Sequence, residues 1–209
     1  IDDDKIIGCY SCIPYEYQYF GEKLLFGLSV DTMIHKEHRG NPFIFKKLAT
    51  SIYTEMEKDG VSFVFGFPNE NVYLVRKKIL KWKDIGKLKY YILPINIGAI
   101  KKKFAIFNIF SKAYAMLVNL LTIPSLSKKN FVAKNIIKYD NIKYKDFRYD
   151  NSYYIYDFVG GYFSYKIYNE EGIQTLYIID VYPLTKENLE NAVKYAYKVN
   201  HKKVDLIMY

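Results

Sequence analysis

The run Ser29-Val-Asp-Thr-Met-Ile-His-Lys-Glu-His-Arg-Gly-Asn-Pro-Phe-Ile-Phe-Lys-Lys-Leu-Ala49 carries the densest chemistry in the chain. It reads as a buried strand, a tight Arg39-Gly40 turn and the start of an amphipathic helix. The first N–H groups of a helix lack intrahelical partners, and the helix dipole favours an anion beside them. A strand that turns straight into such an N-terminus is a device for holding phosphate. Asp31 and His35 are the titratable residues on the strand, and alternation places them on one face with Thr32 and Ile34 on the other. Their surroundings can bring either group toward neutrality, so each is a candidate base. No Ser or Cys stands at a strand-to-helix elbow, so a nucleophilic triad is not indicated.

Two cysteines, Cys9 and Cys12, are spaced Cys-Tyr-Ser-Cys. That spacing suits half a zinc site or a redox pair. A redox pair normally opens a helix, however, and these lie inside a strand-like run. His35-Lys-Glu-His38 is one residue short of zinc-finger spacing. No metal is expected. The absence of further cysteines fits a reducing, cytoplasmic location.

The chain has 209 residues, room for one large domain or two modest ones. Half of the residues are hydrophobic, which supports a packed core rather than disorder. The net charge of +9 and pI near 9.2 suit anionic partners such as a nucleotide cofactor. The lysines are spread over the whole chain and form no basic stripe with stacking aromatics, so DNA is not an expected partner. The chain begins at Ile1 rather than Met and ends at Tyr209 in a strand-like run, which reads as an internal piece of a longer protein.

The elements that must hold the turn are readable. Lys5 to Pro14 reads as a strand that Tyr15 to Phe20 extends, and Gly21 marks a turn. Leu24 to Ile34 reads as one or two strands with an irregularity near Gly27 or Asp31. Ile44, Leu48, Ile52 and Met56 recur every four residues with Phe45, Ala49 and Tyr53 beside them, which predicts a helix with one apolar stripe. Asp59-Gly60 supplies its left-handed end. Val61 to Phe67 is a buried strand, Glu70 to Leu80 a short helix and Tyr90 to Ile95 another strand. From Tyr153 the order repeats: strands flanking Gly160-Gly161, a strand from Gln174 to Val181, a helix with Leu189, Val193, Ala196 and Tyr197 on one face, and a last strand from Val204. Thr185 is placed to cap that helix and Leu184 to staple onto Leu189. Both 5–67 and 153–209 thus read as three strands, a helix and a strand, an architectural repeat without sequence repetition. Between them, Phe104 to Leu126 is strongly apolar behind Lys101 to Lys103. It reads as an amphipathic connector, with membrane contact through 101–126 the weaker alternative, because Lys112 and Asn119 argue against a spanning helix.

With Ile34-His-Lys-Glu-His-Arg-Gly40 at a strand-to-helix turn and Phe65-Gly-Phe-Pro-Asn-Glu-Asn-Val-Tyr73 after the next strand, the chain resembles the GNAT superfamily of acyl-CoA-dependent N-acyltransferases. It looks most like a branch found beside bacterial surface-polysaccharide genes. The resemblance covers roughly residues 5 to 95. It implies an α/β (α+β) fold with a mixed, mostly antiparallel GNAT-type sheet flanked by helices. The repeat resembles tandem members with a second, degenerate GNAT-like lobe. The implied partition is a lobe at 1–96, a helical connector at 97–150 and a second lobe at 151–209.

The family motif Arg/Gln-x-x-Gly-x-Gly/Ala cradles the pyrophosphate of CoA with backbone amides. Arg39-Gly40 and Ile44 to Ala49 match it, while Asn41-Pro42-Phe43 replaces its glycine turn. Pro42 removes a donor, and Asn41 can cap the free N–H groups itself. The resemblance assigns cofactor contacts to Met33, Ile34, Arg39, Gly40, Asn41, Phe43, Ile44 and Asn69. Asn69 opens the second motif and Trp82 starts its last strand. Many relatives carry a Tyr general acid seven residues after the Asn. Here that residue is Arg76, and Tyr73 is the motif-linked substitute, with Asp31 or His35 as base. In the second lobe Ile179 to Thr185 occupies the equivalent turn, without Arg-Gly and with Asp180, Glu187 and Glu190 nearby, so no CoA is expected there. The implied activity is transfer of an acetyl or other acyl group from acyl-CoA to a small-molecule amine, such as an amino sugar. The alternatives are a non-catalytic GNAT-fold binding module and an aminoacyl-tRNA-dependent tandem transferase.

Overall fold

A computed structural model describes residues 5–121, 136–138 and 142–209. The chain runs through β1 (Gly8–Tyr19), β2 (Glu22–Ile34), α1 (Pro42–Lys58), β3 (Val61–Phe65), α2 (Glu70–Ile79) and β4 (Ile92–Pro94). It continues with α3 (Ile97–Ile100), α4 (Asn108–Leu121), β5 (Ile137–Lys138), α5 (Ile142–Arg148), β6 (Tyr154–Phe158), β7 (Gly161–Glu170), β8 (Ile173–Tyr182), α6 (Lys186–Asn200) and β9 (Leu206–Met208). The described residues fall into two compact units, one within Ile1–Gly86 and Phe131–Asn141, the other within Lys87–Asn130 and Ile142–Tyr209.

In the first unit the strand order is β3-β2-β1-β5. β1 and β2 form a long antiparallel hairpin from Tyr19 opposite Glu22 to Gly8 opposite Ile34. Its turn, Phe20-Gly21, has positive φ at both residues, the backbone a two-residue hairpin needs. β2 also pairs with β3 in parallel, and α1 is the crossover that parallel pairing requires. The apolar stripe of α1 buries Phe45, Ala49 and Met56, while Tyr10, Ile34, Leu48, Ile52, Tyr53, Val72 and Val75 complete the cluster. Gly60, at φ +80, ends α1 as its sequence indicates. Residues 5–67 hold two long strands rather than three, because Leu24 to Ile34 lies within one strand. The place beside β1 is taken by β5, opposite Tyr17 and Gln18.

The irregularity of β2 falls at Asp31. Cys9 faces Met33 and Ser11 faces Val30, so Asp31 and Thr32 together oppose Tyr10. That extra residue is a β-bulge, and Asp31 sits at φ +38 to make it. Gly27 has a different purpose. A Cβ there would lie 2.1 Å from the Met56 Cε, so its hydrogen lets α1 settle onto the sheet.

The second unit has the order β4-β9-β8-β7-β6. β8 and β9 are parallel and joined by α6, whose Ala192, Val193 and Ala196 are buried. Ile179 is an extra residue where the β7–β8 register shifts. Thr185 caps α6 by accepting from Asn188 N–H at 3.1 Å. Leu184 stays 70% exposed, so the expected staple does not close over Leu189. β4, read from sequence with the first lobe, pairs instead with β9, and Tyr91 and Tyr209 exchange backbone hydrogen bonds of 2.7 and 3.0 Å. The segment read as a connector contributes to this core: Ala115 of α4 is fully buried and Ser111 donates to the Ile95 carbonyl at 2.7 Å. Residues 122–126 of the apolar run lie outside the described residues. Among those described, no helix is long and apolar enough to cross a membrane.

Gly27→Ala should destabilise the chain by about 1–3 kcal/mol through overpacking against Met56. Denaturant unfolding should show that penalty shrinking toward zero in a Met56→Ala background, because the clash would be gone.

Candidate functional site

β2 is held on both edges for only part of its length. Its pairing with β3 covers Leu25 to Leu28, opposite Val61 to Phe65, and β2 then runs on to Ile34 along β1 alone. The two parallel strands therefore part at Ser29, and the bulge sits in the parted stretch. Asp31, Met33 and His35 are exposed there, alternating with half-buried Thr32 and Ile34. Asp31 and His35 thus share the solvent side. Ile34 instead packs its side chain into the Tyr10–Phe45–Ala49 cluster.

The strand-to-helix turn passes through one helical turn at Lys36–His38, then Arg39-Gly40, and enters α1 at Pro42. Arg39 Nε donates to the Ile34 carbonyl at 2.9 Å, so its side chain braces the turn across five residues. Asn41 is the N-cap. Its Oδ1 accepts from Phe43 N–H at 3.0 Å, its carbonyl accepts from Ile44 N–H at 3.3 Å, and Pro42 has no N–H to offer. The early donors of α1 are thus occupied by a neutral cap that an anion would have to displace. Electrostatics still favour an anion. The first turn of α1 contains no acid, and Lys36, Arg39, Lys46 and Lys47 are all exposed around it. The first turn of α6 differs by containing Glu187, and Asp180 accepts hydroxyl bonds from Tyr149 and Tyr162 at 2.9 and 3.0 Å.

Asn69 caps α2, its Oδ1 accepting from Val72 N–H at 3.2 Å. The Tyr73 hydroxyl donates to the Asp84 carboxylate at 3.0 Å and accepts from Lys77 Nζ at 3.1 Å. Lys77 also bonds Asp84 directly. That contact, with Tyr73, holds the Asp84 carboxyl below its ordinary pKa range. Tyr73 is therefore engaged with Asp84 and Lys77, and not with Asp31 or His35.

Behind the bulge lies a polar cluster that sequence reading did not assemble. Tyr10 and Tyr53 share a hydroxyl–hydroxyl bond of 2.6 Å, Ser29 Oγ donates to Tyr10 at 2.9 Å and Trp82 Nε1 donates to Tyr53 at 3.1 Å. Burial and the Tyr10 bond push the Tyr53 hydroxyl well above its ordinary pKa, so it is no acid at neutral pH. Arg76 of α2 adjoins this cluster and is only 5% exposed. Its Nη2 donates to Thr32 Oγ1 at 3.2 Å, and its guanidinium lies over the rings of Trp82 (4.7 Å) and Tyr10 (5.6 Å). Among the described residues, Nε and Nη1 have no hydrogen-bond partner and no carboxylate pairs with the group. Burying an uncompensated ion costs several kcal/mol, and two ring faces return about 2 kcal/mol or more. One sequence signal pointed here: Arg76 stands on the same helical face as Val72, Val75 and Ile79, which pack into the core.

Residues 1–77 match the sequence model of the family described as acetyltransferase (GNAT) domain. The whole chain aligns with a GCN5-related N-acetyltransferase from Kribbella flavida at 10% identity and a TM-score of 0.54, covering 50% of that chain. The fold is that of the GNAT superfamily. A GCN5-related N-acetyltransferase from Anabaena variabilis aligns over 96% of this chain and 51% of its own, at 14% identity and a TM-score of 0.49. A probable N-acyltransferase from Enterococcus faecalis aligns over 99% and 52%, at 13% identity and a TM-score of 0.49. The chain thus spans about half the length of these structures. No curated protein matches it in sequence.

Within the GNAT-type unit, the His35, Glu37 and His38 ligand atoms lie within 4.8 Å of one another on the exposed outside of the turn. Among the described residues this is the one such cluster that could hold a cation, and it would do so at the surface. Cys9 and Cys12 are both free, and three residues along one strand they point to opposite faces, which rules out a redox pair between them. Cys9 is exposed, whereas burial raises the Cys12 thiol above its ordinary pKa.

Asn41→Ala should cost about 0.5–2 kcal/mol in thermal or chemical unfolding through loss of the α1 cap. Iodoacetamide at pH 8 should label Cys9 well before Cys12, whose thiol is half-buried and held above its ordinary pKa. Peptide mass spectrometry would show equal labelling if the two thiols were alike.

Proposed function

We propose that this protein transfers an acyl group from acyl-CoA to an amine, with the first unit binding the cofactor. The observation that carries the reading is the parting of β2 from β3 at a bulge that leads straight into a cation-rich helix N-terminus. The parted edge offers strand backbone to an extended amide-bearing arm, and the helix start offers amides to a pyrophosphate. On this reading Met33 and Ile34 line the arm, and Arg39, Gly40, Asn41, Phe43 and Ile44 surround the pyrophosphate. Asn69 fixes the start of α2 beside the site. Asp31 or His35 accepts the proton of the attacking amine, directly or through water. The amine nitrogen bonds to the thioester carbon as the C–S bond breaks, and backbone N–H groups near the bulge polarise the carbonyl. Tyr73 is the motif-linked proton source, reached through its pairing with Asp84 and Lys77.

The second unit, with an acidic start to α6, is proposed as a degenerate GNAT-like lobe that does not hold CoA. An amino sugar of surface-polysaccharide synthesis is the acceptor we favour, and a cytoplasmic location follows from the need for acyl-CoA. A non-catalytic module is the second reading, supported by the Asn41 cap and Pro42 at the helix start. A tRNA-dependent transferase would show steeply salt-dependent RNA binding.

Calorimetric titration of acetyl-CoA separates these readings. Micromolar binding is expected, abolished by Arg39→Glu. Asn41→Gly should tighten it about tenfold, since it frees Phe43 N–H for a charged acceptor at little cost to the helix. No heat from folded protein in any variant would favour the non-catalytic module.

A further inference from the structure

The guanidinium of Arg76 is buried and pairs with no carboxylate among the described residues. Its position is specific. It lies where β2 and β3 part, bonded to Thr32 of the bulge. A Cβ on Gly66 would come within 2.9 Å of Arg76 Nη1, 3.1 Å of the Ser29 carbonyl and 3.2 Å of Trp82. Gly66, just past the end of β3, therefore makes the seat in which the cation rests. Tyr10 and Trp82 wall that seat with rings, and Cys12, Ser29, Thr32 and Tyr53 supply neutral groups near it. A fixed positive charge surrounded by neutral and aromatic groups is complementary to an anion that is absent until a ligand or a reaction supplies one.

The reading of the turn as a pyrophosphate site tells where that anion arises, and the inference rests on it. From Ile34 back to Ser29 is five residues of strand, roughly 17 Å at 3.3 Å per residue. An extended pantetheine arm that enters β2 at Ile34 from the helix turn reaches about as far. Its sulfur then lies along Ser29 to Thr32, beside Arg76. We propose that Arg76 stabilises the thiolate released when the thioester breaks. The amine nitrogen forms the new bond to the carbonyl carbon. The C–S electron pair leaves with sulfur, which departs as a thiolate facing the guanidinium and takes its proton only afterwards, from Tyr73 or from water. The amine proton goes to the base on the exposed side of β2. The leaving group then needs no proton donor in the chemical step. A group that cannot give up a proton serves the departing sulfur by charge alone.

The test is the thiol pKa of bound CoA, read from thiolate ultraviolet absorbance against a desulfo-CoA complex, with binding checked by calorimetry in the same samples. The wild-type complex should hold the thiol about one to three pH units below that of free CoA. Arg76→Lys should keep part of the depression, and Arg76→Gln should remove it while still binding desulfo-CoA with wild-type affinity. In turnover, Arg76→Gln should lower kcat far more than it changes KM. Its rate should recover when the thioester carries a more acidic thiol, whose anion needs less help. A bound thiol that titrates like free CoA in the wild type overturns the assignment and leaves the cofactor site standing. Failure of CoA and desulfo-CoA to bind overturns both. If Arg76→Gln does not fold, the wild-type titration and Arg76→Lys still decide the matter.

Discussion

The first unit depends on a strand that is paired on both sides for four residues and on one side thereafter. β2 needs β1 along its whole length to exist as a strand. It needs β3 only at Leu25 to Leu28. Beyond that, continued pairing would close the sheet and leave no open edge. An unpaired strand edge is ordinarily a liability, because its backbone groups must find partners. Here the chain manages the edge in three ways. The bulge at Asp31 and Thr32 re-aims the strand, Arg76 bonds Thr32 from α2, and Arg39 ties the strand end to the helix turn.

These devices are coupled through packing. α1 settles onto the sheet because Gly27 gives Met56 room and because its stripe fits over Tyr10. That fixes the helix start at the end of β2. α2 packs against the same cluster through Val72, Val75 and Ile79, which carries Arg76 to the place where the strands part. Gly66 permits the approach. A side chain at that glycine would crowd the guanidinium, the Ser29 carbonyl and the Trp82 ring together. The site is therefore a product of core packing, even though half of its groups face solvent.

The second unit repeats the sheet logic with other chemistry. β8 carries an extra residue at Ile179 where β2 carries its own, and α6 again joins two parallel strands. Yet the residues between them differ. Thr185 caps α6, Glu187 sits in its first turn, and Asp180 is engaged by two tyrosine hydroxyls. The two helix starts thus share a place in the backbone but differ in the charged groups around them.

Local patterns were legible without coordinates. The four-residue period of Ile44 to Met56, the Gly60 end of α1, the Thr185 cap and the hairpin at Gly160-Gly161 are all short-range physics, decided by residues within a few positions of one another. The irregularity near Asp31 was legible too, though Gly27 competed for it, since a glycine in a strand signals either a bulge or a close approach. What local pattern misassigned was partnership. β4 pairs with a strand more than a hundred residues later, and α4 joins a core to which its own sequence gives no address. Arg76 was readable as a departure from a motif, but its burial, its missing counter-charge and its seat on Gly66 come from three segments meeting. Sequence therefore determined most of the longer strands and helices, their caps and the basic turn at Arg39. Tertiary structure decided which edge stays open and which charge is buried beside it, because both depend on contacts between residues far apart in the chain.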